Sequence, residues 1–234
     1  MKRLSVYALI FSIAFAVFFI GPPLLSMQFR HYPLVKFGDT FDILTPLVLI
    51  PLYWLLFRIN GNTPPGFKEN LVFIIIAAMW VEGQGMHLAA NSIRHLMDGM
   101  EGTDVFTLSY FYDEVLSHYL WHFGIVGLSL LVIFRQWRNP FAEEMSGYWL
   151  PSISGIIHGF SLFVIVVEAQ TAPLGIPYAV IMTLFGIIWG RKRFGHQPLL
   201  RFFFVTGLVA VVLFAIWGIY WGGLPEFSEV GIID

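Results

Sequence analysis

The amino-acid sequence predicts an all-α polytopic integral membrane protein: a bundle of seven transmembrane helices with its N-terminus inside and its C-terminus outside. Three observations lead there. Of 234 residues, 57% are hydrophobic and only 12% are charged, with a mean hydropathy of +0.74, far from the balance of a water-soluble domain. Apolar runs long enough to cross a bilayer, which takes about 20 helical residues, recur from end to end. Finally, with the N-terminus inside, Lys2, Arg3, Arg58, Lys68, Arg135, Arg138, Arg191, Lys192, Arg193 and Arg201 all fall in inner segments, and only Arg30, Lys36 and Arg94 fall outside. That asymmetry follows the positive-inside bias of membrane proteins.

Each span follows from its own run. The first, Leu4 to Ile20, follows Lys2 and Arg3, and the GPPLLSMQF after it lacks a small-x-small cleavage pattern, so it is expected to persist as an anchor. An outer loop from Gly21 to Asp42 leads to the second run, Ile43 to Phe57. The inner loop from Asn60 to Asn70 contains NGNTPPG, a turn sequence. The third and fourth runs are Leu71 to Leu96 and Leu108 to Phe134; the fifth, sixth and seventh are Tyr148 to Val167, Ile176 to Trp189 and Leu200 to Tyr220. No soluble domain interrupts them, so residues 1–234 read as a single transmembrane domain. VEGQG at Val81 to Gly85 and VEAQT at Val167 to Thr171 echo one another in the third and fifth spans.

There is no cysteine, which excludes disulfides, thiolate metal sites and cysteine nucleophiles. The bilayer is the expected environment, a lipid or other apolar molecule the expected substrate, and the plasma membrane the expected location. No nucleic-acid partner is expected, and the sequence does not specify an oligomer.

Polar groups inside spans are costly and normally pair, face the bundle interior or mark a site. Here they are segregated into three consecutive helices: Glu82, His87, Asn91 and His95 in the third, Asp113, Glu114, His118 and His122 in the fourth, His158 and Glu168 in the fifth. At about 1.5 Å per residue, His87 and His118 lie about 15 Å from the outer ends of their spans, and His122 and His158 about 20 Å. Glu114, His118 and His122 share one stripe at i, i+4, i+8. Glu82, five residues before His87, joins that layer only if Gly83 and Gly85 permit a kink or a π-bulge.

Imidazole and carboxylate without thiolate suit zinc, iron, copper or manganese. The favoured reading is a zinc hydrolase: His87, His118 and His158 as ligands, His122 as a fourth ligand or proton carrier, and Glu82 or Glu114 as acid/base. Asn91, Asp113, Ser117, Ser161 and Glu168 would be their hydrogen-bonding supports. Redox alternatives are a di-iron oxygenase, for which HxxxH at His118 to His122 is one fragment of the desaturase pattern, and haem. For haem, His87 beside Gly83 and Gly85, and His122 beside Gly124, would be the axial pair. A proton-coupled transporter is a further class. Glu168 is also placed as a partner of Arg94, and Trp80, Trp121 and Tyr119 as packing aromatics. His31, His95 and His196 receive no role.

Seven spans, an inside N-terminus, no cysteine and intramembrane His, Asp/Glu and Ser together resemble the CREST superfamily of membrane hydrolases, which includes the alkaline ceramidases. The resemblance implies a zinc-hydrolase bundle. That family carries its HxxxH pair on the last span; here the pair is on the fourth.

Overall fold

A capped N-terminus lets two of the helices outrun the apolar stretches that define them. Asp39 Oδ2 accepts the Lys36 backbone N–H at 2.7 Å and Glu69 Oε2 accepts that of Gly66 at 2.8 Å, so the second and third helices start several residues before their apolar runs. In the computed structural model, which describes residues 2–25, 27–29, 32–144, 147 and 149–232, seven helices are long and apolar enough to cross a membrane. Expectations that fall on Arg30, His31 and Tyr148 lie outside the described residues.

The chain runs through α1 (Lys2–Ile20), a small antiparallel pair β1 (Gln28–Phe29) and β2 (Tyr32–Lys36), α2 (Phe37–Arg58) and α3 (Phe67–Arg94). The fourth span is a single unit of 35 residues, Asp104–Arg138: α4 (Asp104–Tyr110), a π-helical turn (Phe111–Ser117) and α5 (His118–Arg138). Then come α6 (Trp149–Glu168), α7 (Ala172–Phe185) with a second π segment (Gly186–Gly190), and α8 (Pro198–Trp221), which stops at Gly222 with φ 68°, a left-handed cap suited to glycine. The β hairpin is a departure from a purely helical reading: it sits in the outer loop after α1, where backbone groups can pair outside lipid. The fourth and fifth spans are the most enclosed.

Lipid tails supply no hydrophobic drive between helices, so the bundle is held by close packing and internal polar bonds. Gly83 and Gly124 bring the third and fourth spans together: a β-carbon at Gly83 would lie 2.6 Å from Trp121 N and 2.8 Å from Ser117 O, and one at Gly124 would lie 2.6 Å from Trp80 Cβ. Gly83→Val is therefore expected to cost about 2 kcal/mol through overpacking, measured by unfolding the purified protein in mixed micelles. Tyr53 OH and Ser129 Oγ bond at 2.8 Å, joining spans two and four.

The inner end carries a polar knot. Arg135, only 1% exposed, pairs with Glu69 Oε2 at 2.9 Å, donates to Phe57 O at 3.1 Å and also donates to Thr63 O. Next to it, Asn60 donates to Val132 O at 2.7 Å and accepts from Gln136 Nε2 at 2.7 Å, while Gln136 Oε1 accepts the Leu200 N–H at 2.9 Å. These bonds pin the inner loop between α2 and α3 to spans four and seven. Arg135→Met is expected to lose about 3 kcal/mol of stability by stranding Glu69 and the loop carbonyls, again read by unfolding in micelles.

Candidate functional site

Where the outer halves of α3 and the fourth span meet, one buried carboxylate holds two partners. Asp113 has no exposed surface; one of its oxygens is 2.9 Å from His87 Nδ1 and the other is 2.8 Å from Arg94 Nε, close ion-pair contacts whose N–H directions lie off the hydrogen-bond line. Arg94 continues to Glu114 Oε1 through Nη2 at 2.6 Å, and its guanidinium lies over the Tyr110 ring at 5.8 Å. The second Glu114 oxygen is 3.7 Å from His118 Nδ1, whose shorter contact is the Ala169 carbonyl at 3.2 Å. The rings of His87 and His118 stand 4.8 Å apart between centroids.

Local backbone geometry produces this arrangement. On α3, His87 and Arg94 are seven residues apart, two turns along one face. On the fourth span, a regular helix would put Asp113 about 140° away from His118. The π turn Phe111–Ser117 has i→i+5 bonding, which brings residues five apart close to register, so Asp113 turns inward toward α3. Ser117 Oγ donates to the Asp113 carbonyl. An isolated charge at this depth would be prohibitive; Arg94 and the imidazole make the Asp113 carboxylate tolerable. Arg94 lies between the two carboxylates, 2.8 Å from Asp113 and 2.6 Å from Glu114.

Of the sequence-predicted residues, the structure gathers His87, Asp113, Glu114 and His118, with Ser117 behind them. Asn91 is half-buried on α3 between His87 and Arg94. Glu82 is exposed: α3 stays α-helical through Gly83 and Gly85, so Glu82 points away from His87 and the expected bulge lies in the fourth span instead. His122 is turned onto its own helix, its Nδ1 2.8 Å from His118 O and its ring 3.6 Å from that of Trp121.

His158 reaches the expected depth but faces elsewhere, packed against Phe11, Phe15, Phe202 and Phe203 at centroid distances of 5.4, 4.5, 5.2 and 6.0 Å. Its Nδ1 is 3.4 Å from Thr206 Oγ1. Ser161 donates to its own helix at Ile157 O, 3.0 Å away. Glu168 is not the partner of Arg94; it accepts the Phe227 N–H at 3.0 Å and holds the C-terminal segment to the outer end.

These positions bear on the cofactors expected from sequence. Among the described residues no three His, Cys, Asp or Glu side chains converge to hold a metal ion, and the positive charge that zinc would supply between the carboxylates is already supplied by the Arg94 guanidinium. The same holds for two irons, since His122 and His158 are directed away. Of the glycines that would make room for haem, Gly83 and Gly124 are pressed against the neighbouring helix and only Gly85 is open. The donor set does not fit zinc, a di-iron pair or haem. His158→Phe is accordingly expected to change stability by less than about 1.5 kcal/mol and to leave activity intact, which a melting curve and a turnover assay would check.

A small outer cavity of about 360 Å³, lined by Tyr110, Glu114, Val115, Tyr119, Gln170 and Glu226, opens beside this cluster. Gln170 has a φ of 50°, a left-handed conformation uncommon for a residue other than glycine.

No family model matches the chain. Over 225 aligned residues it is 24% identical to a dog (Canis lupus familiaris) protein called ceroid-lipofuscinosis neuronal protein 6 homolog, covering 84% of this chain and 69% of that one. No solved structure matches. The similarity is a distant one along most of the chain, and the relative's name carries neither an activity nor a cofactor.

Sequence reasoning missed Arg94, placed at an interface by its position near the end of an apolar run. Its spacing of seven from His87 was the available signal. Nothing local in the sequence marks the π turn that recruits Asp113.

Proposed function

We propose that this integral membrane protein is an enzyme that acts on a lipid or other apolar substrate by metal-independent acid–base chemistry, with hydrolysis as the reaction class. The observation that carries this is the fully buried Asp113 carboxylate 2.9 Å from His87 Nδ1. A carboxylate there fixes the imidazole with its proton on Nδ1, leaving Nε2 as the base. His87 Nε2 would take a proton from water as that water attacks an ester or amide carbon, then return it to the departing oxygen or nitrogen. Asp113 is a positioning residue that stabilises the transient imidazolium, and Arg94 pairs with its other oxygen. Placement in the plasma membrane belongs to the same proposal.

The experiment uses protein reconstituted in nanodiscs, incubated with fractionated lipid extracts, with products followed by mass spectrometry. Turnover by the wild type that disappears in His87→Ala and survives chelation supports the reading. Turnover equal in both chains, or abolished by chelation and restored by zinc, overturns it. A proton-coupled carrier is the second reading, favoured by one observation: His87, Asp113, Arg94 and Glu114 form a continuous chain of ionisable groups between two spans. Proton-driven flux across sealed vesicles would distinguish it.

A further inference from the structure

Between α2 and α3 runs a second, larger groove of about 480 Å³. Its walls are apolar, formed by Ile43, Leu47, Ile50, Val81 and Leu88, and three of these, Ile43, Leu47 and Val81, are broadly exposed. One side is open: a β-carbon at Gly85 would meet nothing within 4 Å. In a bilayer such a groove faces lipid, and its apolar walls need no other explanation.

What the bilayer does not explain is the concentration of hydrogen-bond acceptors in it. Gln84 lines the groove at 4% exposure; its amide nitrogen donates to Asp42 Oδ1 at 3.4 Å, and its Oε1 has no partner. The amide lies with its nitrogen toward the Asp42 carboxyl, so its oxygen is the acceptor left over. Pro46 and Pro51 also line the groove, inside α2. Lacking N–H groups, they leave the carbonyls of Asp42 and Leu47, four residues earlier, without their helical donors. Hydrocarbon cannot satisfy any of these acceptors.

We propose that the groove binds a bilayer lipid with an apolar body and a hydroxyl head, the hydroxyl donating to Gln84 Oε1. A hydroxyl suits the site because the unmatched acceptor, Gln84 Oε1, is a neutral carbonyl that a single O–H satisfies; the Asp42 carboxylate, which also lines the groove, is already engaged by the Gln84 amide. Gln84 is one turn of α3 from His87, so the bound head lies on the same stretch of α3 as the acid–base histidine. A lipid alcohol is also what hydrolysis of a lipid ester would leave there. The inference rests on the proposed reading for what happens to the lipid, not for its binding.

The test uses nanodisc-reconstituted full-length protein with a diazirine-bearing hexadecanol and its methyl ether, which lacks the donor. The alcohol is expected to label peptides covering residues 43–51 and 81–88 about fivefold more than the ether, the effect of one hydrogen bond to an otherwise unmatched acceptor. Gln84→Leu removes the preference, and Leu47→Trp, which fills the groove, suppresses both labels; His158→Phe, remote from the groove, retains the wild-type pattern. Equal labelling by alcohol and ether in the wild type, or unchanged labelling in Leu47→Trp, overturns the inference. Unselective labelling alongside His87-dependent turnover defeats this inference alone. Selective labelling with His87-independent turnover defeats the acid–base reading alone.

Discussion

Replacing Asp113 by Asn lowers the folding stability by about 3 kcal/mol, the scale for removing one partner from a buried ion pair. The side chain keeps its shape, so the loss is one of charge. Arg94 would then have only Glu114 to pair with, and His87 Nδ1 would face an amide instead of a carboxylate. The damage is coupled: in a double-mutant cycle with Arg94→Gln, the interaction energy is expected to be about 2 kcal/mol, because the second change removes the guanidinium that the first left underpaired. Unfolding of the four proteins in mixed micelles measures both numbers. An Asp113→Asn protein as stable as the wild type would mean that the buried pairing contributes nothing.

The second large effect is on turnover. His87→Ala is expected to reduce it about 1,000-fold, in the range that a positioned general base contributes. Asp113→Asn should cost a similar factor by releasing the imidazole into the wrong tautomer. The double variant should be little worse than either single one, since groups acting as a unit lose their contribution together. His158→Phe serves as the contrasting variant: with the ring among four phenylalanines, it has no part in the reaction. The ratio of these rates, measured on whichever lipid is turned over, separates an acid–base pair from a histidine metal layer, in which His158 would matter as much as His87.

Much of the architecture was legible because a bilayer imposes it. Seven apolar runs gave seven spans, and the errors lay at their ends: α2 begins at Phe37 instead of Ile43 because Asp39 caps it, and α3 at Phe67 instead of Leu71 because Glu69 does. One packing signal went unused. Gly155 and Gly159, a small-x-x-x-small pair, let α6 approach α8 so closely that a β-carbon at either would lie 2.6 Å from the Phe202 or Thr206 carbonyl.

The candidate site was legible in depth and not in rotation. His87 and His118 met as their depth implied, but His158 at a similar depth faces Phe15, because rise along a helix says nothing about azimuth. Asp113 ranked below Glu114 since a regular helix takes it off the histidine stripe; the π turn at Phe111–Ser117 reverses that order. A bulge was considered for the third span, where Gly83 and Gly85 invite one. Those glycines serve other ends, Gly83 in the crossing with the fourth span and Gly85 beside the open groove. Gln84 was legible on the His87 stripe, but its partner Asp42 and the pairing of Arg94 with Asp113 became visible only in the fold.

The central claim is that Asp113 holds His87 directly, with Arg94 as the resident cation. The ¹⁵N NMR spectrum of histidine-labelled protein, recorded for wild type and Asp113→Asn, tests it most directly. The claim predicts a wild-type His87 with its proton on Nδ1, insensitive to chelator, whose Nδ1 resonance moves when Asp113 becomes Asn. A His87 resonance unchanged in Asp113→Asn, or one that shifts when a chelator is added, would contradict it.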